Sequence, residues 1–95
     1  MSDITSVIQE AAMLFGVLPA DITARYGSHR FGAARAAVTW IARNHLKMTH
    51  DQIARRLSWS VRSTSVDAYQ RAERFRASKP AFREITDKLA QRVAA

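Results

Sequence analysis

The segment Gln52-Ile-Ala-Arg-Arg-Leu-Ser-Trp-Ser-Val-Arg-Ser-Thr-Ser-Val66 places two runs of helical spacing on either side of a polar break. Ile53, Ala54 and Leu57 fall on one face of a short helix, and Ser58-Trp59-Ser60 interrupts it. Past the break, a second helix is expected over about 63–76. Val66, Ala68, Tyr69, Ala72 and Phe75 mark one half of it; Ser63, Thr64, Asp67, Gln70, Arg71 and Arg74 mark the other. A short helix with a small residue facing its successor, a tight break, and a second helix with a polar first turn make the pattern of a helix-turn-helix. Ala54 is the small residue, and Ile53, Leu57 and Val66 are the expected core pins. Short hydroxyls and Arg side chains suit base edges and phosphates, and a helix N-terminus favours phosphate in its own right. The same face also reads as the solvated side of an ordinary helical bundle, so the flanking sequence has to arbitrate.

Upstream, Thr49 followed by Gln52 has the spacing of a capping box and opens the short helix. Before it, a longer helix of about 33–47 carries Ala34, Ala37, Val38, Ile41, Ala42, His45 and Leu46 as a core stripe. Arg35, Thr39, Arg43 and Lys47, each four residues from the next, form a neighbouring cationic stripe. Residues 25–32, Arg-Tyr-Gly-Ser-His-Arg-Phe-Gly, read as a basic loop. The first helix is expected at about 4–15, capped by Asp3 or Ser2, with Ile4, Val7, Ile8, Ala11 and Phe15 inward and Gly16 as its stop. Pro19 then opens a short helical turn through Thr23. Downstream, Ser78 reads as the cap of a last helix with Phe82, Ile85, Leu89 and Val93 inward. No strand-like alternation, internal repeat or low-complexity run appears. The expected fold is all-α, a bundle of about five to six helices forming one domain over residues 1–95.

Charge is unevenly placed. Residues 1–24 hold Asp3, Glu10 and Asp21 and no cation, for −3; residues 25–79 carry +9; residues 80–95 carry +1. All but three of the 15 cations are Arg, the side chain suited to phosphate forks and guanine edges. A concentrated positive middle points to a polyanion. With no cysteine, disulfides and thiolate metal sites are excluded, and a reducing compartment is the natural one. The opening MSDITS lacks the features of a secretion signal, and no stretch has the length of a membrane span. A cytoplasmic, nucleoid-associated protein without a membrane partner is expected. His29, His45 and His50 share no helix face at a ligand spacing, so no metal site is expected, and no cofactor. The eight acids are scattered, with no paired carboxylates and no Ser–His–Asp set, so the chain does not read as an enzyme.

The order of elements resembles the C-terminal DNA-binding domain of the bacterial chromosomal replication initiator DnaA, over about residues 4–90. The resemblance is carried by Ala20-Asp21-Ile22, the basic loop 25–30, Ala33 to Arg43, and Ile53 through Val66 with Ala68 to Arg71. It implies a basic loop in the minor groove and a recognition helix in the major groove, in a TrpR/DnaA-like all-α fold. Arg25 and Arg30 would flank the minor groove, Arg35 would read a base, Arg43 would contact phosphate, and Thr64 and Ser65 would stand as the family's hydroxyl pair. The family's Asp-His pair is here Arg62-Ser63, the Gln beside the base-reading Arg is Ala36, and an Arg of the loop is Gly27. The Ile53–Val66 spacing is about one residue longer than the family's. Those departures imply a target other than the initiator's usual site. The initiator's ATPase module has no counterpart here, and Gly27 to Gly32 lacks the Lys-Ser/Thr of a phosphate loop, so no nucleotide is expected.

The expected function is sequence-specific binding of double-stranded DNA by a stand-alone initiator-like domain, regulating transcription or replication. The full contact set is Arg25, His29, Arg30, Arg35, Arg43, Lys47, Arg62, Ser63, Thr64, Ser65, Asp67, Gln70, Arg71 and Arg74. Asp67 reads as accepting from cytosine or, better, as orienting Arg71 one turn on. A monomer or weak dimer suffices, because the basic loop supplies a minor-groove arm. Two alternatives stay open. One is non-specific architectural binding. The other is a protein-interaction module acting on replication or transcription machinery, which would leave an apolar patch uncovered on the first or last helix. His45 is expected to pack in the core, His50 to face solvent, and Trp40 to lie beneath the first or last helix. Trp59 reads equally as a turn filler or as an exposed contact.

Overall fold

The structure, a computed structural model, describes residues 3–24 and 31–94. Among the described residues it is all-helical, with α1 at Ile4–Phe15, α2 at Pro19–Thr23, α3 at Gly32–Asn44, α4 at His50–Arg56, α5 at Arg62–Ser78 and α6 at Pro80–Ala94. None of these helices is long and apolar enough to cross a membrane.

Local signals set the first boundaries. Asp3 accepts a hydrogen bond from the Ser6 amide at 3.0 Å and so caps α1. Gly16 takes the left-handed conformation, φ 70°, and two bonds close the helix behind it: Gly16 N to Met13 O and Val17 N to Ala12 O. This is a Schellman closure, and it turns Val17 back onto the core. Pro19 begins α2, and the Asp21 carboxylate accepts from the Leu18 amide at 3.0 Å.

α3 is the axle of the bundle, with α1, α4, α5 and α6 packed on it. Ala34, Ala36, Ala37, Val38, Ile41 and Ala42 are buried along it, and the alanines let its neighbours approach closely. Thr39 is buried as well, because its hydroxyl donates to Arg35 O at 2.8 Å and leaves no unpaired polar atom. The cationic stripe expected on this helix therefore does not form as a stripe.

The helix also ends three residues earlier than the periodicity suggests. His45 is its C-cap and is exposed, contrary to the expectation of a packed histidine. The chain reverses through Lys47 at φ 58°, with Met48 N bonded to Ala42 O, and this presents Thr49 to α4. There the capping box forms as expected: Gln52 N donates to Thr49 Oγ1 at 3.1 Å and Thr49 N donates to Gln52 Oε1 at 2.9 Å.

α5 lays Ser65, Ala68 and Ala72 into the interior, while Val66, expected as a pin, is only half-buried. Ser78 does not cap the last helix; it ends α5, its hydroxyl bonded to Arg74 O, and Lys79 alone links it to Pro80. Phe82 of α6 joins the two ends of the core, its ring 6.0 Å from Phe15 and 5.3 Å from Phe75. Thr86 and Leu89 complete the buried side of α6, with Ile85 and Val93 partly covered. Trp40 is half-buried against the core. The Arg76 guanidinium stacks 4.2 Å from its ring and bonds onward to Thr86 and Asp87 of α6.

Candidate nucleic-acid interface

The α4–α5 connection is built by backbone geometry. Ser58 N bonds Arg55 O and Trp59 N bonds Ala54 O at 2.8 Å, with Ser58 left-handed at φ 62°. This repeats the closure that ends α1, with serine where glycine is usual. The residue after it, Trp59, packs half-buried against the core, which settles it as a filler of the turn. The chain then extends through Val61, φ −135° and ψ 147°, and α5 begins.

Val61 supplies no side-chain cap: Thr64 N bonds Val61 O at 3.3 Å, and no side chain accepts from the first amides of α5. Arg62 and Ser63 are exposed and Thr64 half-buried beside them. Farther along the same helix Asp67, Gln70, Arg71 and Arg74 are exposed, at the spacing that puts them with Ser63 on one outward face. Asp67 forms no ion pair with Arg71. Arg71 instead reaches toward the start of α3, its Nη1 3.6 Å from where a Cβ on Gly32 would stand. The outer face of α5 thus adjoins the start of α3.

Ser65 departs from the expected contact set. It is fully buried, and its Oγ lies 2.8 Å from His50 Nδ1. His50 is half-buried rather than solvent-facing, edge-on to Tyr69 at 6.0 Å, while the Tyr69 hydroxyl donates to Asn44 Oδ1. This polar cluster ties the end of α3, the start of α4 and the first turns of α5 together. Burial lowers the pKa of His50; Arg43 and Arg62 lower it further, and Asp51 opposes them. His50 is therefore neutral near pH 7. The two arginines that act on it place positive charge from the end of α3 and the start of α5 around one spot.

Arg35 is the other departure. Its Nη2 donates to Asp21 O at 3.0 Å and to Ala24 O at 2.8 Å, which closes α2 against α3. Its burial lowers its pKa, with Asp21 opposing, and the group stays charged. Arg35 holds the residue before the basic loop; it does not stand free as a base reader. Arg43 and Lys47 are exposed at the α3–α4 turn, bonded to Met48 O and Asn44 O respectively. Arg25, His29 and Arg30 lie outside the described residues. Arg55, which sequence reasoning passed over, is exposed in the last turn of α4.

Among the described residues no group of His, Asp and Glu gathers to hold a metal ion. The stripes of α1 and α6 pack on the core, with Ile4, Phe15, Ile85 and Val93 partly buried, while Met13 on α1 and Leu18 before α2 protrude. No protein-family model, curated protein or solved structure matches the chain.

Proposed function

We propose that the protein binds double-stranded DNA with sequence preference, laying the first turns of α5 in the major groove. The observation that carries this reading is the bare start of α5. A strained turn brings an uncapped helix N-terminus to the surface with Arg62 and Ser63 exposed, on the most cationic part of the chain. In this reading Arg62, Ser63 and Thr64 approach base edges. Asp67, Gln70, Arg71 and Arg74 follow the groove wall, and Arg43 and Lys47 hold phosphates. The loop with Arg25, His29 and Arg30, leading into α3 beside Arg71, is the element for the minor groove. The resemblance to the initiator's DNA-binding domain supports the same pose, with Arg35 and Ser65 withdrawn from the contact set. A regulatory role in transcription or replication fits a domain of this kind. Because the contacts proposed include both phosphates and bases, binding should fall with salt at a slope of about 0.9 per phosphate neutralised and still discriminate among sequences.

Titration of labelled duplexes by fluorescence anisotropy across a salt series tests this. Arg74→Ala should reduce the slope by about one unit with little change in sequence preference, and Ser63→Ala should blur preference with little change in slope. A slope unaffected by any α5 substitution would place the contact elsewhere.

A further inference from the structure

Val61 is one of three large apolar side chains exposed among the described residues, at 54%. The other two, Met13 and Leu18, belong to the acidic first part of the chain; Val61 stands alone on the basic side, immediately before Arg62. Its position is also a poor one for valine. It is the N-cap of a 17-residue helix and already has the extended backbone that a capping residue needs. A Ser, Thr, Asp or Asn side chain there would accept from an amide of the first turn, and the valine side chain accepts from none. The chain forgoes a cap and exposes a β-branched hydrocarbon at the tip of the helix assigned to the groove. Rules of local stability are commonly broken at functional positions. In the major groove the only apolar feature on a base edge is the C5-methyl of thymine.

We propose that Val61 is a specificity-determining residue that packs on a thymine methyl at the edge of the target site. The inference rests on the duplex-binding reading above and goes beyond it by naming a base and the atom read. Desolvating one methyl against an apolar side chain is worth about a fourfold change in affinity.

The test begins with a duplex selected by the wild-type protein from a random pool. Each thymine is then replaced in turn by deoxyuridine, which removes only the methyl. Binding by wild type, Val61→Ser and Val61→Thr is measured, with thermal melts of all three. The wild type should lose about fourfold at one position. Val61→Ser should bind the thymine and uracil versions of that site equally, while melting roughly 4 °C higher because it gains a cap. Val61→Thr, which keeps one methyl, should retain part of the discrimination. A selected site at which no uracil weakens binding, or at which Val61→Ser remains as sensitive as wild type, overturns this assignment and leaves duplex binding intact. A pool that enriches nothing removes the duplex reading itself.

Discussion

Replacing Arg35 with alanine separates two roles that a single arginine could play. In the structure its guanidinium donates to the carbonyls of Asp21 and Ala24 and so fastens the end of α2 to the first turn of α3. Hydrogen bonds involving a charged group contribute about 1.5–3 kcal/mol each. The site is only part-buried, so the lower figure applies to each bond. Two such bonds give roughly 3 kcal/mol, from the bonds alone. For a domain of this size that lowers the melting temperature by roughly 12 °C or more. Thermal and urea unfolding followed by far-ultraviolet circular dichroism measure it. Arg35→Ala should also weaken duplex binding at every sequence alike, because Ala24, the last described residue before segment 25–30, loses its anchor. A variant that melts with the wild type but loses selectivity at one base pair would refute this reasoning and restore Arg35 as a base reader.

Three further outcomes follow from the same geometry. Ser58→Gly removes the cost of a left-handed serine, about 1–2 kcal/mol, and adds about 0.4–1 kcal/mol of unfolded-chain entropy; the urea midpoint should rise by the equivalent of roughly 0.5–1 kcal/mol. Phe82→Ala, which opens the contact between Phe15 and Phe75, should cost about 3–5 kcal/mol, a large part of a small domain's stability, and leave the chain largely unfolded on warming. His50 has its pKa lowered below the ordinary 6.5 by burial first and by Arg43 and Arg62 next. The folded state thus binds its proton less readily than the unfolded chain. Its contribution is whole above about pH 6.5 and is lost as pH falls below that value, an acid arm of the stability profile that His50→Gln should flatten.

Elements whose boundaries are written locally were legible in the sequence. Asp3 and Gly16 bracket α1, and Thr49 with Gln52 opens α4, because a cap is a bond between near neighbours. The end of α3 was not legible. It depends on Lys47 accepting a left-handed backbone, to which no glycine points. Periodicity also misplaced hydroxyls. Thr39 bonds a carbonyl of its own helix and Ser65 meets His50, so both behave as interior residues although the sequence reading places them outside. Ser65 could have been found, since it continues the stripe of Ala68 and Ala72 and Val66 does not. Its partner could not, being fifteen residues away on another helix. The exposed face of α5 was legible as a face; Arg35 was not, because its role comes from the approach of α2 to α3.

The most direct test of duplex recognition by α5 is to follow backbone amide resonances of the labelled protein as a selected duplex is added at physiological salt. The largest shifts should fall on Val61 to Thr64 and on Gln70, Arg71 and Arg74. Shifts confined to α1 and α6, or none at that salt, would contradict that recognition.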